Sequence, residues 1–551
     1  MERLTRNAPV LLLAAALVVA TAMTLALTSG MTFYQDTWDF LITRRAITVD
    51  TLLQPHNEHI VVFPILIEQL LLRIFGMSTA LPEYVLLCLF LAATAVLLYV
   101  YVKRRVGPWL ALFAAVAILC LGPAWEVLLW PFEITFVGPI LCGLAMLLAL
   151  ERNDRLGDIA ACLFLILALG FSGLGIPFIA GAAVAVAQGP RATWLRRSYI
   201  FLIPLLLYVA WYLGWGHDAE THLAIRNVLA SSRFVVDSLA NSLAAVAGLG
   251  PSPTGGAFDP SWGRAILVAL VVLIGYRQLR KPGFFPGLWP IAATALASWL
   301  LTAFNAFPGR DPTSSRYLYA GAVFVLMILA NLFNGIRPSR NVLIAMAVVT
   351  AAAVGPNLVV LKDGSDILKP QSVFTRADGA ALEIARRTVN PDFQLTPEVA
   401  GTPSLINVYA GAYLTAVDEY GSPAYSTVEL ASAPEEGRRQ ADIVLADALP
   451  ITTTTRPGTL SRSAGTGECF AFPAGRSGNL QVALHPGLTK IELAPGPHAD
   501  IALRRFAVEG FPVLTDGAAG GTVTTLRIPR DEASRPWYLH VDAAQSARVC
   551  R

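Results

Sequence analysis

The chain of 551 residues is 14% charged and 55% hydrophobic, with a mean hydropathy of +0.57. Soluble globular chains carry about 25% charge, so soluble classes are excluded and a membrane protein is indicated. The formal net charge of +3 is too small to argue for a nucleic-acid partner; where Lys and Arg fall says more, because charge in short loops sets membrane orientation.

Apolar runs long enough to cross about 30 Å of hydrocarbon cover residues 9–29, 80–102, 107–123, 134–150, 157–171, 172–189, 199–216, 263–276, 285–304, 317–335 and 341–361. They predict about eleven membrane helices. The first, preceded by Arg3 and Arg6, has an apolar run of about twenty residues, long for a signal peptide, and reads as a retained anchor. Alternate connections then carry Lys103, Arg104 and Arg105; Arg152 and Arg155; Arg191, Arg196 and Arg197; Arg277, Arg280 and Lys281; and Arg337 and Arg340. These connections read as cytoplasmic. The opposite connections hold few such charges, so the N-terminus is expected inside and the C-terminal region outside. Residues 58–76, interrupted by Glu58, Glu68 and Arg73 and containing Pro64, fit an interfacial helix better than a span.

All seven histidines fall outside the spans, and the polar clusters lie in the external connections. The first connection reads Tyr34-Gln35-Asp36-Thr37-Trp38-Asp39-Phe40 and later Pro55-His56-Asn57-Glu58-His59. Two carboxylates three apart beside a membrane are placed to accept a proton from an acceptor hydroxyl; helix capping is the plainer role for Asp36. His56 and His59 are expected on one helical face. That spacing admits a metal site with Asp36 or Asp39, although such pairs more often donate hydrogen bonds or meet a phosphate. The second external connection reads Trp125-Glu126-Val127-Leu128-Leu129-Trp130-Pro131-Phe132-Glu133: its aromatics suit an interface, and Glu126 and Glu133 either bind sugar hydroxyls or face water. In Pro308-Gly309-Arg310-Asp311-Pro312-Thr313-Ser314-Ser315-Arg316-Tyr317, Arg316 stands at the lip of an outward-opening helix. A guanidinium there can hold a phosphate through two parallel hydrogen bonds, or snorkel to lipid headgroups. Arg226 and Arg233, seven apart in the connection 217–262, are weaker phosphate candidates on the same argument and read rather as solvated charge.

From about Lys362 the composition turns polar. Residues 376–389 show helical spacing, and short β-rich runs at 480–484, 489–493, 522–528 and 537–541 alternate with Gly and Pro turns, suggesting a β-sandwich. Trp537 beside Tyr538 reads as a core residue rather than a sugar platform. Cys88, Cys120, Cys142 and Cys162 lie in apolar runs, which leaves Cys469 and Cys550 as an external disulfide pair. The expected domains are a membrane domain, 1–361, and an extracytoplasmic α+β domain, 362–551, mixed α/β over about 362–455 and β-rich over about 456–551.

Asp36-Thr37-Trp38-Asp39-Phe40-Leu41, Pro55-His56-Asn57-Glu58-His59, Trp125-Glu126-Val127-Leu128-Leu129-Trp130 and Ser315-Arg316-Tyr317 resemble a poorly characterised actinobacterial branch of the GT-C superfamily of integral-membrane glycosyltransferases. The likeness covers the membrane domain. It implies a plasma-membrane enzyme that uses a polyprenyl-phosphate sugar donor, transfers with inversion outside the cytoplasm to an envelope glycan, lipid or protein acceptor, and requires no metal, a divalent cation being the alternative. The superfamily's Asp-Glu pair is not matched literally, because Asp36 is followed by Thr37, so the base is either Asp36 or Asp39. Arg316, Arg310 and His56 are assigned to the donor phosphate, and Glu58, His59, Glu126 and Tyr317 to substrate binding. One carboxylate suffices, since a lipid phosphate leaves without protonation whereas glycosidases need a second acid. A transporter or lipid flippase predicts ionisable groups at midmembrane, and these spans are almost free of them. An envelope-assembly scaffold has no required motif.

Overall fold

The computed structural model describes every residue except 1, 256–258, 281–284, 286, 397–404, 406–407, 459–467, 474–479 and 513–516, so Lys281 lies outside the described residues. The chain forms two compact units: residues 1–29, 46–71 and 81–368, and residues 30–45, 72–80 and 369–551.

In the first unit a helix lies over each of the eleven apolar runs. Among the described residues seven helices are long and apolar enough to cross a membrane: Asn7–Leu27, Leu81–Val106, Pro131–Leu150, Arg191–Gly214, Ser261–Arg280, Ser315–Leu332 and Arg340–Ile384. Pro108–Leu119 and Gly122–Leu129, bent by 48°, make an eighth if the pair is one span. Arg155–Phe171, Ile176–Ala187 and Leu288–Phe304, of 17, 12 and 17 residues, fall short of a full crossing, which takes about 20 residues. The chain is a multi-pass membrane protein. Gly107 (φ +93°) turns it between Leu81–Val106 and Pro108–Leu119, and Pro108 opens the second helix where an N–H has no partner to lose.

The charges at these helix ends are knotted rather than simply solvated. Arg105 lies 3.5 Å from the Tyr101 ring centre, and donates to Asn331 Oδ1 at 2.8 Å and Glu151 Oε1 at 2.6 Å. Arg197 forms a bidentate pair with the buried Asp158, at 2.7 and 3.0 Å. Helix Val62–Phe75, of 14 residues, is too short to span and carries Pro64 in its first turn, where no intrahelical N–H is needed. Its Glu68 is buried, as is Glu83 in the first turn of helix Leu81–Val106.

The sequence boundary at 361/362 falls inside the continuous helix Arg340–Ile384, within the first unit, and the second unit takes up the chain from Lys369. Over about 362–455 the described residues hold the end of that helix, helices Ala410–Tyr420, Thr427–Ser432 and Glu435–Ala448, one isolated bridge between Gln394 and Tyr409, and the start of the first strand. Strands follow: β1 (Thr452–Pro457), β2 (Cys469–Phe472), β3 (Leu480–Leu484), β4 (Gly487–Leu493), β5 (Asp500–Arg504), β6 (Phe511–Pro512), β7 (Thr522–Ile528), β8 (Trp537–Asp542) and β9 (Ala547–Cys550). They form two antiparallel sheets, β1-β7-β4-β9-β2 and β3-β8-β5-β6. Burial alternates along β5, β8 and β9, as in a sandwich, and Trp537 is a core residue. Asp442 anchors the last helix by accepting the backbone N–H groups of Arg505, Phe506 and Ala507, at 2.7, 3.0 and 3.0 Å.

Cys469 and Cys550 face each other in the β2–β9 register and are joined by a disulfide spanning 81 residues. Closing a loop of that length stabilises by about 4 kcal/mol in the chain-entropy model. Cys469→Ser is therefore expected to lower the denaturant midpoint at which 452–551 becomes protease-sensitive; an unchanged midpoint would show that the bridge constrains nothing.

Candidate active site

The residues singled out in the connections between the helices fall into two groups. His56, Glu58, His59, Glu126, Arg310, Arg316 and Tyr317 belong to the first unit, Asp36 and Asp39 to the second.

His56 and His59 do not share a helical face. The backbone reverses between them, each N–H donating to the other's carbonyl at 2.9 Å, with Asn57 in the left-handed region (φ +51°) that Asn tolerates better than most residues. Directly opposed residues of an antiparallel pair place their side chains on one side, so the pairing expected from a helix arises from a tight turn. A Cβ added to Gly173 would stand 2.6 Å from His59 Nδ1, so that position needs glycine for the imidazole to fit. Burial lowers the His59 pKa to about 4, with Glu58 opposing and Arg310 adding to the shift, so the ring is neutral at physiological pH.

Glu58 is ion-paired with Arg310, their side chains 18% and 13% exposed. Arg310 lies 4.7 Å from the Phe307 ring centre. The loop carrying it is firmly built: Gly309 takes φ +92°, Ser314 Oγ donates to the Gly309 carbonyl at 2.9 Å, and Asp311 accepts from the Thr313 N–H at 2.7 Å. Asn227 donates to the carbonyls of Phe304 and Ala306, at 3.1 and 3.0 Å, and Asn241 to that of Pro312 at 3.2 Å.

Arg316 is the second residue of helix Ser315–Leu332, but it is not a bare cation at the helix lip. Its Nε donates to Glu126 at 3.3 Å and stands 3.8 Å from Glu133, which is fully buried. Its guanidinium lies 5.8 and 5.7 Å from the ring centres of Trp130 and Phe136, and Phe136 packs edge-on against Tyr317. Trp130 stacks on Phe132, which approaches His56 at 5.5 Å. The Glu126 backbone N–H is held by Ser315 Oγ at 3.0 Å. Neither Nη group of Arg316 makes a hydrogen bond among the described residues. Beside it opens a cavity of about 370 Å³ whose walls include Trp125, Glu126, Ser252, Thr313, Ser315 and Arg316. The site thus offers a guanidinium fixed at Nε, flanking hydroxyls and an aromatic wall.

In the second unit, Asp36 immediately precedes a helical turn at Thr37, and Asp39 opens a single π-helical turn, Asp39–Thr43. Asp39 is ion-paired with Arg44 at 2.9 Å. Arg226 is exposed, and Arg233 is exposed and loosely paired with Asp237. Among the described residues no group of three or more His, Cys, Asp or Glu side chains is arranged to hold a metal ion.

Glu133 as a partner of Arg316 was not singled out, although a carboxylate following Trp-Pro-Phe, seven residues after Glu126, was a usable signal. These features define a multi-pass α-helical membrane protein with an arginine–carboxylate cavity at the ends of its helices. No family model and no curated protein matches the chain. A crystal structure of ArnT from Cupriavidus metallidurans bound to undecaprenyl phosphate is similar at 15% identity, over 74% of this chain and 85% of that one, with a TM-score of 0.45; at that distance the likeness carries no conclusion about this chain.

Proposed function

We propose that this protein is a GT-C-type glycosyltransferase that moves a sugar from a polyprenyl-phosphate donor to an envelope glycan, lipid or protein acceptor at the external face of the plasma membrane, with inversion. The observation that carries this reading is Arg316, fixed through Nε by two carboxylates while its Nη edge is left for a ligand at a hydroxyl-lined cavity. A planar pair of N–H donors matches two phosphate oxygens. Cleavage of the sugar–phosphate bond builds negative charge on the phosphate and positive charge on the ring, so the same guanidinium is worth more in the transition state than in the ground state. Arg310 and His56 assist at the phosphate, while Glu58, His59, Glu126 and Tyr317 contact substrate. Asp36 or Asp39 takes the acceptor proton as the new bond forms.

Native mass spectrometry of the purified protein with polyprenyl phosphate tests the binding step: an adduct is expected that is far weaker with polyprenol, and equal adducts would contradict a phosphate site. The expected orientation, set by Lys and Arg in alternate connections, is tested by labelling single cysteines with an impermeant reagent in intact cells. Glu220→Cys should react and Arg196→Cys should not; the reverse pattern would invert the topology and place the cavity on the wrong face.

The flippase reading draws on one observation, the buried carboxyl pair Glu68–Glu83 at the edge of the spans. It predicts lipid translocation without sugar transfer.

A further inference from the structure

The first external segment folds with the C-terminal residues: 30–45 and 72–80 join 369–551 in one compact unit. The attachments are specific. Trp38, fully buried between Asp36 and Asp39 in sequence, meets the Tyr413 ring edge-on with centres 6.0 Å apart, and Phe33 packs on it at 5.5 Å. Tyr413 is itself fixed, its hydroxyl donating to Glu383 at 3.0 Å while Ser422 donates to the same carboxylate oxygen at 2.5 Å. At the two ends of the segment, the Thr32 N–H donates to Ser372 Oγ at 3.0 Å and Arg45 pairs with Glu419 at 3.3 Å. The later piece is tied as well, Met77 N–H donating to the Tyr420 carbonyl at 2.8 Å.

This matters because the turn is not self-supporting. Gln35, directly before Asp36, lies in the left-handed region (φ +44°), a conformation that costs a non-glycine residue free energy and persists only where its surroundings impose it. The π-helical turn after Asp39 is a second uncommon geometry. A fully buried tryptophan, between the two aspartates in sequence and met edge-on by a hydrogen-bonded tyrosine, supplies such surroundings.

We infer that the C-terminal unit is the frame that holds the Asp36–Asp39 turn in shape, with Tyr413 as the positioning residue acting through Trp38. This rests on the proposed reading of that turn as the source of the base. It gives the C-terminal residues a part in the reaction that needs no sugar binding of their own, and it predicts that damage far along the sequence disables the first external segment.

The test uses the full-length protein in detergent, with Tyr413→Phe, which keeps the ring, and Tyr413→Leu, which removes it. Amide hydrogen exchange over 30–45 should rise by about tenfold or more in Tyr413→Leu and stay near wild type in Tyr413→Phe. Peptides covering 310–320 should be unchanged in both. Sugar transfer by Tyr413→Leu should show kcat lowered by roughly tenfold or more with donor KM within about twofold, since a misplaced base costs turnover rather than binding. Unchanged exchange over 30–45 in Tyr413→Leu overturns the inference, as does a variant that loses donor binding in proportion to kcat. If Tyr413→Leu fails to fold, Glu419→Gln, which removes only the Arg45 pair, should raise exchange at the end of the segment, and no rise there overturns the inference equally. Wild-type protein that transfers no sugar, while exchange responds as described, sinks the enzymatic reading and leaves the frame standing.

Discussion

Arg316→Ala should weaken donor binding and slow turnover together. Two charge-assisted hydrogen bonds to a phosphate at a partly buried site are worth about 3 kcal/mol, or roughly 10²-fold in affinity. The loss in turnover should be larger than the loss in binding, because the phosphate gains charge as the sugar leaves. The substitution also leaves the buried Glu133 facing Glu126 without the cation between them, so stability must be measured beside activity. Arg316→Lys separates the effects. It keeps one positive charge for the two carboxylates but loses the fork, so it should recover most of the stability and little of the donor affinity. Equal recovery of both would show that Arg316 is only a structural counter-ion.

Asp36→Asn should do the opposite: lower turnover by about 10²-fold or more while leaving donor binding nearly intact, the range that general-base catalysis contributes. Asp39→Asn removes the 2.9 Å ion pair with Arg44, so it should lower stability as well as turnover. The difference assigns the base. A large kcat effect in Asp36→Asn with unchanged thermal stability points to Asp36. Full activity in Asp36→Asn with loss in a folded Asp39→Asn moves the base to Asp39, and indifference to both removes residues 30–45 from the mechanism. Steady-state kinetics with donor held at saturation and at trace concentration distinguish these cases.

The membrane helices were legible because each is a local signal, an apolar run whose ends are marked by charge, glycine or proline. The strands were legible for the same reason, and the burial of Trp537 followed from its place in one of them. What escaped was long-range. Glu126 precedes Arg316 by 190 residues, and nothing in the windows around Glu126 or Glu133 shows that they flank a guanidinium. The knot of Arg105, Glu151, Asn331 and Tyr101 is invisible in loops read only for charge. Spacing alone misled at His56 and His59, where three residues apart fits both a helical face and a tight turn; the decision lay with Asn57, which accepts a positive φ. The break at Lys362 is real in composition, yet the backbone stays helical through Ile384, because a helix can pass from an apolar to a polar environment without a change of dihedrals. That residues 30–45 fold with the C-terminal unit could not be read from any window of the sequence.

The most direct test is release of polyprenyl phosphate. Purified full-length protein is incubated with a panel of polyprenyl-phosphate hexoses and pentoses and a cell-envelope extract as acceptor, and the lipid products are followed by mass spectrometry. The expected result is free polyprenyl phosphate from at least one donor, dependent on acceptor and reduced by about 10²-fold or more in Arg316→Ala and Asp36→Asn. Intact donor throughout the panel with folded wild-type protein, or release that both variants match, would contradict the account.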